Sequence, residues 1–361
     1  MRFYRIEITD PEGRADPLIF TSWRERNYFP GSLFGTSTDF GALNVLFDLQ
    51  TLPFSTPRGY SMVEIWGIPL SVISGSSNLN NRNITIYGGF KPGLPLATQA
   101  SAYQAGPILQ GYIYQAFGNW IGTQMTLNLV VSPGIRVSTQ SQPNTAFQTS
   151  VIAPTAPPIG SNSFPINGRF YMPPGMPVST AIRNFLTAAM PNFTIASISI
   201  NPDFTQPHPI AGVYLTMSQF NQWLNNFSRN IVGGNYSGIS IRVEQGNRII
   251  VDDNSPPSQT INISYLDLIG QPTWIEPFKI QVKCPMRADL QVNYNVVMPR
   301  GFYSILPSQP ASPRIFPERS RSVQQGTYTI TELRHVGNFR QPDASSWVTV
   351  ITCAFLPGGS Q

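Results

Sequence analysis

Residues 266–299 read LDLIGQPTWIEPFKIQVKCPMRADLQVNYNVVMP, and their alternation decides the fold class. Phe278, Ile280, Val282 and Cys284 alternate with Lys279, Gln281 and Lys283. A period of two puts the apolar side chains on one face of a strand and the polar ones on the other. Pro285 has no N–H to give a ladder, so the strand is expected to stop near it. Leu290, Val292, Tyr294, Val296 and Met298, set against Gln291, Asn293 and Asn295, predict a second strand. The charged corner Met286-Arg287-Ala288-Asp289 separates the two, and the turn Gly270-Gln271-Pro272-Thr273-Trp274 precedes them. The expectation is an antiparallel β unit with one buried face and no catalytic chemistry.

Similar patterns extend in both directions. Tyr4, Ile6 and Ile8 alternate with Arg5, Glu7 and Thr9, and Leu43, Val45, Phe47 and Leu49 form another run. Short strands at 62–66 and 84–87 and the alternation Met125, Leu127, Leu129, Val131 follow, punctuated by Gly88-Gly89, Pro92-Gly93, Gly118 and Gly122. Residues 1–132 are therefore expected to form a β-barrel or sandwich. Residues 133–163 carry one charge, Arg136, and read as a Pro/Ser/Thr-rich linker or arm.

Two stretches have helical spacing: Val178, Ile182, Phe185, Leu186, Ala189 and Met190, then Met217, Phe220, Leu224 and Phe227. Ser179 or Thr180 is the candidate cap of the first and Thr216 of the second. With strand-like 195–200 between them, residues 164–233 are expected to be a small α/β domain. Residues 234–361 return to β, with a hairpin turn at Gln245-Gly246-Asn247 and an exposed Pro-rich loop over 304–325. Tyr328 and Ile330 are out of phase with Leu333 and His335 by one residue, which a β-bulge explains. Trp347, Thr349, Ile351, Cys353 and Phe355 form the last strand. The fold class is mainly β: two β-barrel domains with a small α/β domain between them.

Charged residues make up 11% of the 361-residue chain, against roughly 25% in an ordinary soluble protein. Asn, Gln, Ser and Thr supply most of the polarity. Such a surface suits large permanent interfaces, because covering it strands few ions; an all-β protein rich in turns is the other reading. The net charge of +5 comes mainly from arginine, with Lys91, Lys279 and Lys283 the only lysines. Arginine favours fixed contacts over a mobile basic coat. The positive charges form no dense run, so the footprint of a nucleic-acid binder is weak. Cys284 and Cys353 both fall on apolar faces of strands and read as buried free thiols. No signal peptide is visible, and no apolar run approaches the ~20 residues of a membrane span.

Catalysis finds little support. His208 is boxed between Pro207 and Pro209, and His335 lies in a strand. Two histidines and two cysteines at these spacings make no zinc pattern. Glu64, Asp252, Asp253, Glu276 and Asp289 lie at strand ends and turns rather than as a placed pair. Gly88-Gly89 lies among strands, not before a helix, so no phosphate loop is present. The chain reads as a non-enzyme without cofactor or metal.

Three stretches carry a resemblance. The first is Ile84-Thr85-Ile86-Tyr87-Gly88-Gly89 with Gly93-Leu94-Pro95-Leu96, Gly106-Pro107-Ile108-Leu109-Gln110-Gly111 and Phe117-Gly118-Asn119-Trp120-Ile121-Gly122. The second is Ile269-Gly270-Gln271-Pro272-Thr273-Trp274-Ile275 with Met286-Arg287-Ala288-Asp289-Leu290 and the run to Met298-Pro299. The third is His335-Val336-Gly337-Asn338-Phe339-Arg340-Gln341 with Ser346-Trp347-Val348-Thr349-Val350. In this order they resemble the baseplate hub proteins of contractile-tailed, Mu-like and related bacteriophages, over nearly the whole chain. Val292-Asn293-Tyr294 departs from the Gly-Asp type of turn expected there.

The resemblance implies a homotrimeric ring at the end of the tail tube, with two tube-like barrels per subunit. Three subunits then mimic six-fold symmetry and join a hexameric tube to a trimeric spike. It also implies assembly in the host cytoplasm and a place in the tail baseplate of the virion. The implied partners are the tail tube protein, the central spike protein, other baseplate or wedge proteins and the tape measure protein, with DNA passing transiently through the ring. A receptor- or cell-wall-binding tail protein and a tail-tip cell-wall hydrolase are the alternatives. Gln271 and Trp274 of the turn, with Arg287 and Asp289 of the corner, are candidates for fixing a barrel against its neighbour; a corner serving only its own domain is the other reading.

In the 304–325 loop, Pro307, Pro310, Pro313 and Pro317 prevent regular pairing, while Arg314, Arg319 and Arg321 offer anchors. An arm reaching a neighbouring subunit or a baseplate partner is expected. Deleting 304–325 should leave a soluble, folded chain and impair tail assembly; infectious particles formed normally by the deletion would exclude the arm.

Overall fold

The computed structural model describes residues 1–24, 37–38, 41–51, 61–91, 105–133, 165–191, 193–234, 236–244, 248–253, 259–264, 267–276, 279–292, 294–299 and 326–355. Of the expected 133–163 linker, Pro133 ends a strand and the rest lies outside the described residues, as do the 245–247 turn and the 304–325 loop. The first segment contains β1 (Arg2–Thr9), β2 (Leu18–Thr21), β3 (Trp23–Arg24), β4 (Ser37–Thr38), β5 (Asn44–Thr51), β6 (Ser61–Trp66), the short helix α1 (Leu70–Ser74), β7 (Asn83–Phe90), β8 (Ala105–Ile121) and β9 (Gln124–Pro133). The middle contains β10 (Pro165–Met172), α2 (Val178–Ala189), β11 (Thr194–Ser199), β12 (Ile210–Thr216), α3 (Met217–Val232), β13 (Ser240–Glu244) and β14 (Arg248–Asp252). The last segment contains β15 (Thr260–Asn262), β16 (Thr273–Glu276), β17 (Lys279–Pro285), β18 (Asn295–Met298), β19 (Gly326–Asn338) and β20 (Trp347–Phe355).

The protein is mainly β, and its first and last segments share one 13-stranded sheet. The order is β16-β17-β20-β19-β5-β6-β9-β8-β7-β1-β2, with β18 also on β19 and β15 on β18. The antiparallel pair β5–β19 joins the segments. Among the described residues the order is open, and no pairing closes either segment into a barrel. The period-two pattern explains the strands that face the two cores: Ile6, Ile8, Val45, Leu49, Ile65, Leu127 and Leu129 point into one core, and Ile280, Val282, Cys284, Ile351 and Cys353 into a second. Both cysteines are buried free thiols.

The sheet contains the same five-strand arrangement twice. In the first unit the strands stand in the order β5-β6-β9-β8-β7, and in the second in the order β16-β17-β20-β19-β18. Numbered along the chain, both are first-second-fifth-fourth-third, and every pairing within both is antiparallel. Each fourth strand is long, and each carries a register shift: between Ile113 and Gln115 in β8, and between Ile330 and Glu332 in β19. The second shift is the bulge behind the phase slip of Tyr328 and Ile330 against Leu333 and His335.

The expected pairing of the two strands in 266–299 is corrected. β17 pairs with β16 and β20, while β18 pairs with β15 and β19. The second strand is also shorter than its alternation, covering only residues 295–298. Leu290 and Val292 are still buried in the second core, but from a turn. The corner between the strands leaves its own unit instead of making a hairpin. Met286 enters the first core, where a Cβ on Gly88 would stand 2.8 Å from its sulfur and one on Gly106 would stand 3.0 Å from Ala288.

The middle segment has its own core, made by Phe170, Ile182, Phe185, Leu186, Phe220, Leu224, Ile239 and Ile241. β10 pairs with β12, and β11 and β13 flank β14. Thr216 caps α3, its Oγ1 accepting from the N–H of Gln219 at 3.2 Å. The α2 expectation is corrected: Pro177 is its N-cap residue, with no side-chain cap. Ser179 there donates its N–H to Asp203 Oδ1 at 3.1 Å.

At the β5–β19 pairing, Gly337 sits opposite Phe47, and a Cβ on Gly337 would stand 2.4 Å from the Phe47 ring. Gly337→Ala is expected to lower stability by about 1–3 kcal/mol, the usual range for overpacking. The loss should shrink in a Phe47→Leu background, which vacates that space. Urea unfolding of the two single variants and the double variant checks this, and strict additivity would contradict it.

Candidate assembly site

Six residue pairs, from Leu333↔Thr51 to Asn338↔Leu46, make the β5–β19 seam. On its solvent side Arg334 forms a two-pronged pair with Asp48, its Nε 2.7 Å from Oδ1. Both side chains are exposed, so the pair fixes register more than it adds stability. On the core side Trp347 is the centre. Its indole Nε1 donates to the Gly89 carbonyl at 2.9 Å, and its ring meets Phe47 at 5.1 Å and Phe339 at 5.9 Å. Phe339 stands edge-on to Tyr4 at 4.8 Å, and the Tyr4 hydroxyl donates to the Leu43 carbonyl at 2.8 Å. Arg2 donates to the Asn338 carbonyl at 3.0 Å and the Asp343 carbonyl at 2.9 Å. Arg340 donates to the Ala42 carbonyl. The two units are thus tied by backbone pairing, an aromatic cluster and arginines on carbonyls.

Behind the seam lies a buried polar knot. The Arg287 N–H donates to Thr349 Oγ1 at 3.0 Å, and Thr349 Oγ1 lies 2.9 Å from His335 Nδ1. The Thr349 hydroxyl also reaches the Arg287 carbonyl at 3.5 Å, so the direction of its contact with Nδ1 follows the histidine tautomer. Burial pushes the His335 pKa down to about 4. The Arg287 guanidinium is paired with Asp289 through Nε at 2.9 Å and Nη2 at 2.6 Å, and stands 3.5 Å from Asp267. The hydrogen bonds it donates to Asp289, above all, hold the Arg287 pKa above its ordinary value. Burial pushes the neighbouring Cys284 thiol up to about 12, so it stays protonated.

The candidate interface residues therefore fall into separate places. Arg287 and Asp289 come together in the buried corner, bonded within the chain. Gln271 and Trp274 lie exposed at and before β16, the edge strand of the sheet. Arg314, Arg319 and Arg321 lie outside the described residues. Residues missed by sequence reading are Arg2 and Phe47, each far along the chain from its partners at the seam. The three resemblance stretches do converge: Gly88 and Gly89 of the first meet Met286 of the second and Trp347 of the third.

The acidic residues and histidines have structural surroundings. Asp252 pairs with Arg242 in the interior. Asp253 accepts from the Asn201 N–H and, at 3.0 Å, from the Tyr236 hydroxyl. Glu276 pairs with Lys279 on the surface at 2.7 Å, and His208 is exposed. Among the described residues no group of three or more His, Cys, Asp or Glu side chains could hold a metal ion, and no helix is long and apolar enough to cross a membrane.

No family model and no curated protein matches the chain. Solved structures do align with it. The crystal structure of the tail protein from Neisseria meningitidis MC58 covers 98% of this chain and 96% of its own, with a TM-score of 0.46 and 10% identity. That of the 43 kDa tail protein of prophage MuSo2 from Shewanella oneidensis covers 98% of each chain, with a TM-score of 0.48 and 8% identity. A chain of a PdpA–VgrG complex covers 100% of this chain and 67% of its own, with a TM-score of 0.43 and 7% identity.

The folded pKa of His335 lies below the ordinary 6.5. The unfolded chain therefore binds a proton that the folded chain refuses between these two values. Stability is complete above about pH 6.5 and falls as pH drops towards 4, by roughly 3 kcal/mol for a shift of this size. His335→Gln should flatten that part of the pH profile in urea unfolding. A variant with the wild-type slope would mean that another group titrates.

Proposed function

We propose that the chain is a structural protein of a bacteriophage tail baseplate, the hub ring that adapts a six-fold tail tube to a three-fold central spike. The observation that carries this is the duplicated five-strand unit joined by β5–β19. A homotrimer of such a chain presents six similar units to one partner and keeps three-fold symmetry for another. The residue-level resemblance to hub proteins supports the same conclusion. In the ring each unit serves as one tube-like barrel wall, and the genome leaves through the central channel. Gln271 and Trp274 face a neighbouring subunit. Arg287 and Asp289 act one step back, holding the corner that sets the second unit against the first. Arg314, Arg319 and Arg321 anchor the 304–325 arm on a neighbour or on a wedge protein. The tail tube protein, the central spike protein and the tape measure protein are the remaining partners, and the chain is no enzyme.

DNA sliding through such a ring must not stick. Each neutralised phosphate steepens the salt dependence of binding to duplex DNA, by a slope of about −0.9. The channel is accordingly lined by amide and hydroxyl side chains rather than arginine.

Mass photometry of the purified chain is expected to show a trimer at micromolar concentration, alone or once the spike protein is added. The same preparation should bind duplex DNA only weakly at physiological salt. A chain that stays monomeric with the spike protein present would overturn the hub, and submicromolar, steeply salt-dependent DNA binding would point instead to a nucleic-acid-binding protein.

A further inference from the structure

The long strand β19 changes partner part-way along. Residues 326–329 pair with β18, the bulge follows, and residues 333–338 pair with β5. Its counterpart β8 is built in the same way. Residues 105–112 pair with β7, and a register shift follows. Two backbone groups flanking it are taken locally: the Ile113 N–H by the Arg82 carbonyl at 2.8 Å, and the Ala116 N–H by Asn80 Oδ1 at 2.7 Å. From Phe117 to the tip, β8 has no strand on that side among the described residues. The first strands of the units differ in the same manner. Among the described residues β5 bonds on both sides, whereas β16 bonds only to β17. Among the described residues, one chain therefore completes one pairing of a first strand with a fourth strand and leaves the other two without a strand partner.

The sequence repeats at the same place. β19 ends in Gly337-Asn338 and continues to Phe339, and β8 ends in Gly118-Asn119-Trp120-Ile121. At the seam the Phe339 N–H donates to the Val45 carbonyl at 3.0 Å, and its ring is packed against Tyr4 and Trp347. The matching Trp120 is 63% exposed and the adjoining Ile121 is 75% exposed. On β16, Trp274 is 39% and Ile275 45% exposed. Neither open run, residues 117–121 or 273–276, contains the lysine or proline that usually guards a free edge. Phe117, Trp120 and Ile121 on β8 and Thr273, Trp274 and Ile275 on β16 are good strand formers, with Gly118 and Asn119 interrupting the first run and Glu276 ending the second.

We propose that β16 of one copy pairs antiparallel with residues 117–121 of β8 in the next copy, repeating between chains the β5–β19 seam found within each. This rests on the ring proposed above and names its contact. The contact joins unlike surfaces head to tail, the kind of interface that generates closed rings. The occupant of the open edge is a second copy because the chain itself shows what a fourth strand of this unit accepts: the first strand of a like unit.

Chemical cross-linking tests this. Cys284 and Cys353 are buried, so Ile121→Cys and Ile275→Cys supply the only accessible thiols among the described residues. A flexible bis-maleimide, which tolerates a small offset in register, should convert the double variant into covalent dimers and trimers, with nothing larger. Each single variant should stay monomeric on a denaturing gel. Dimers from either single variant would mean that like edges meet, and would overturn the contact. A native trimer without cross-links in the double variant would overturn the contact and leave the ring standing. A wild-type chain that never associates would remove the ring itself. Ile275→Lys is a second measurement. It should weaken association at least about tenfold, while circular dichroism and the unfolding midpoint of the monomer remain those of wild type. Unchanged association would count against the contact.

Discussion

The backbone pairing of β5 with β19 is the constraint from which the rest of the structure follows. It joins segments almost three hundred residues apart, Leu333 to Thr51 at one end and Asn338 to Leu46 at the other. Without it each unit would present a further free edge, a template for misassociation. The pairing demands close approach. Gly337 leaves room for the Phe47 ring, and that ring is one wall of the cluster around Trp347. It also demands that β19 serve two partners in succession, which the bulge at Thr331 permits by turning the second half of the strand. The aromatic cluster and the arginines on carbonyls then act on geometry that the backbone has already set.

Much of the fold was legible in the sequence because burial alternates with a period of two in strands and near 3.6 in helices. The alternation of 280–284 and the helical spacing at 178–190 report which side chain faces inward, and Thr216 marks a helix start; all are local properties. Pairing partners are not local. Residues 290–298 alternate as a strand should, and Leu290, Val292, Val296 and Met298 are indeed buried together. Yet only the last part is a strand, and it pairs elsewhere. Neighbouring strands pair roughly two-thirds of the time, which favoured the hairpin; Met286, claimed by the core of the other unit, prevented it. The duplication was hidden for a related reason. Strand order is a property of the whole sheet, and the two units share little sequence beyond a Gly-Asn-aromatic signature at the end of each long strand. Of the candidate site, the Arg287–Asp289 corner was visible as a local charge pair. Its connection to Thr349 and His335, some fifty to sixty residues on, was not.

The low charge content takes on meaning in this setting. In the interior, arginine appears with its ions already matched, as Arg287 with Asp289 and Arg242 with Asp252. Breaking such a pair strands a charge, whereas replacing it whole with apolar groups is often harmless, so these pairs speak for specificity of geometry rather than for net stability. Elsewhere the sheet uses Thr126, Asn128, Thr329 and Thr352 as buried polar side chains. Hydroxyl and amide groups can satisfy one another across strands, as Thr329 does with Asn295 at 2.8 Å. Covering them requires no counter-ion.

An intramolecular seam and an intermolecular copy of it obey different requirements. The seam inside the chain benefits from an effective concentration set by tethering, so it forms at any protein concentration. It can therefore rely on modest elements such as the exposed Arg334–Asp48 pair. A contact between chains has no tether and must offset the entropy of association with burial. Large apolar side chains are the economical source of that burial, and they dominate such contacts. The distribution of side chains follows this difference. Phe339 is already packed at the inner seam, whereas the corresponding strand end on β8 carries the larger Trp120 and an extra apolar residue, Ile121, in the open. β16, which has a strand on one side only among the described residues, likewise exposes Trp274 and Ile275. The asymmetry between the two long strands is what a chain needs if one of two like seams is closed by its own folding and the other only by assembly.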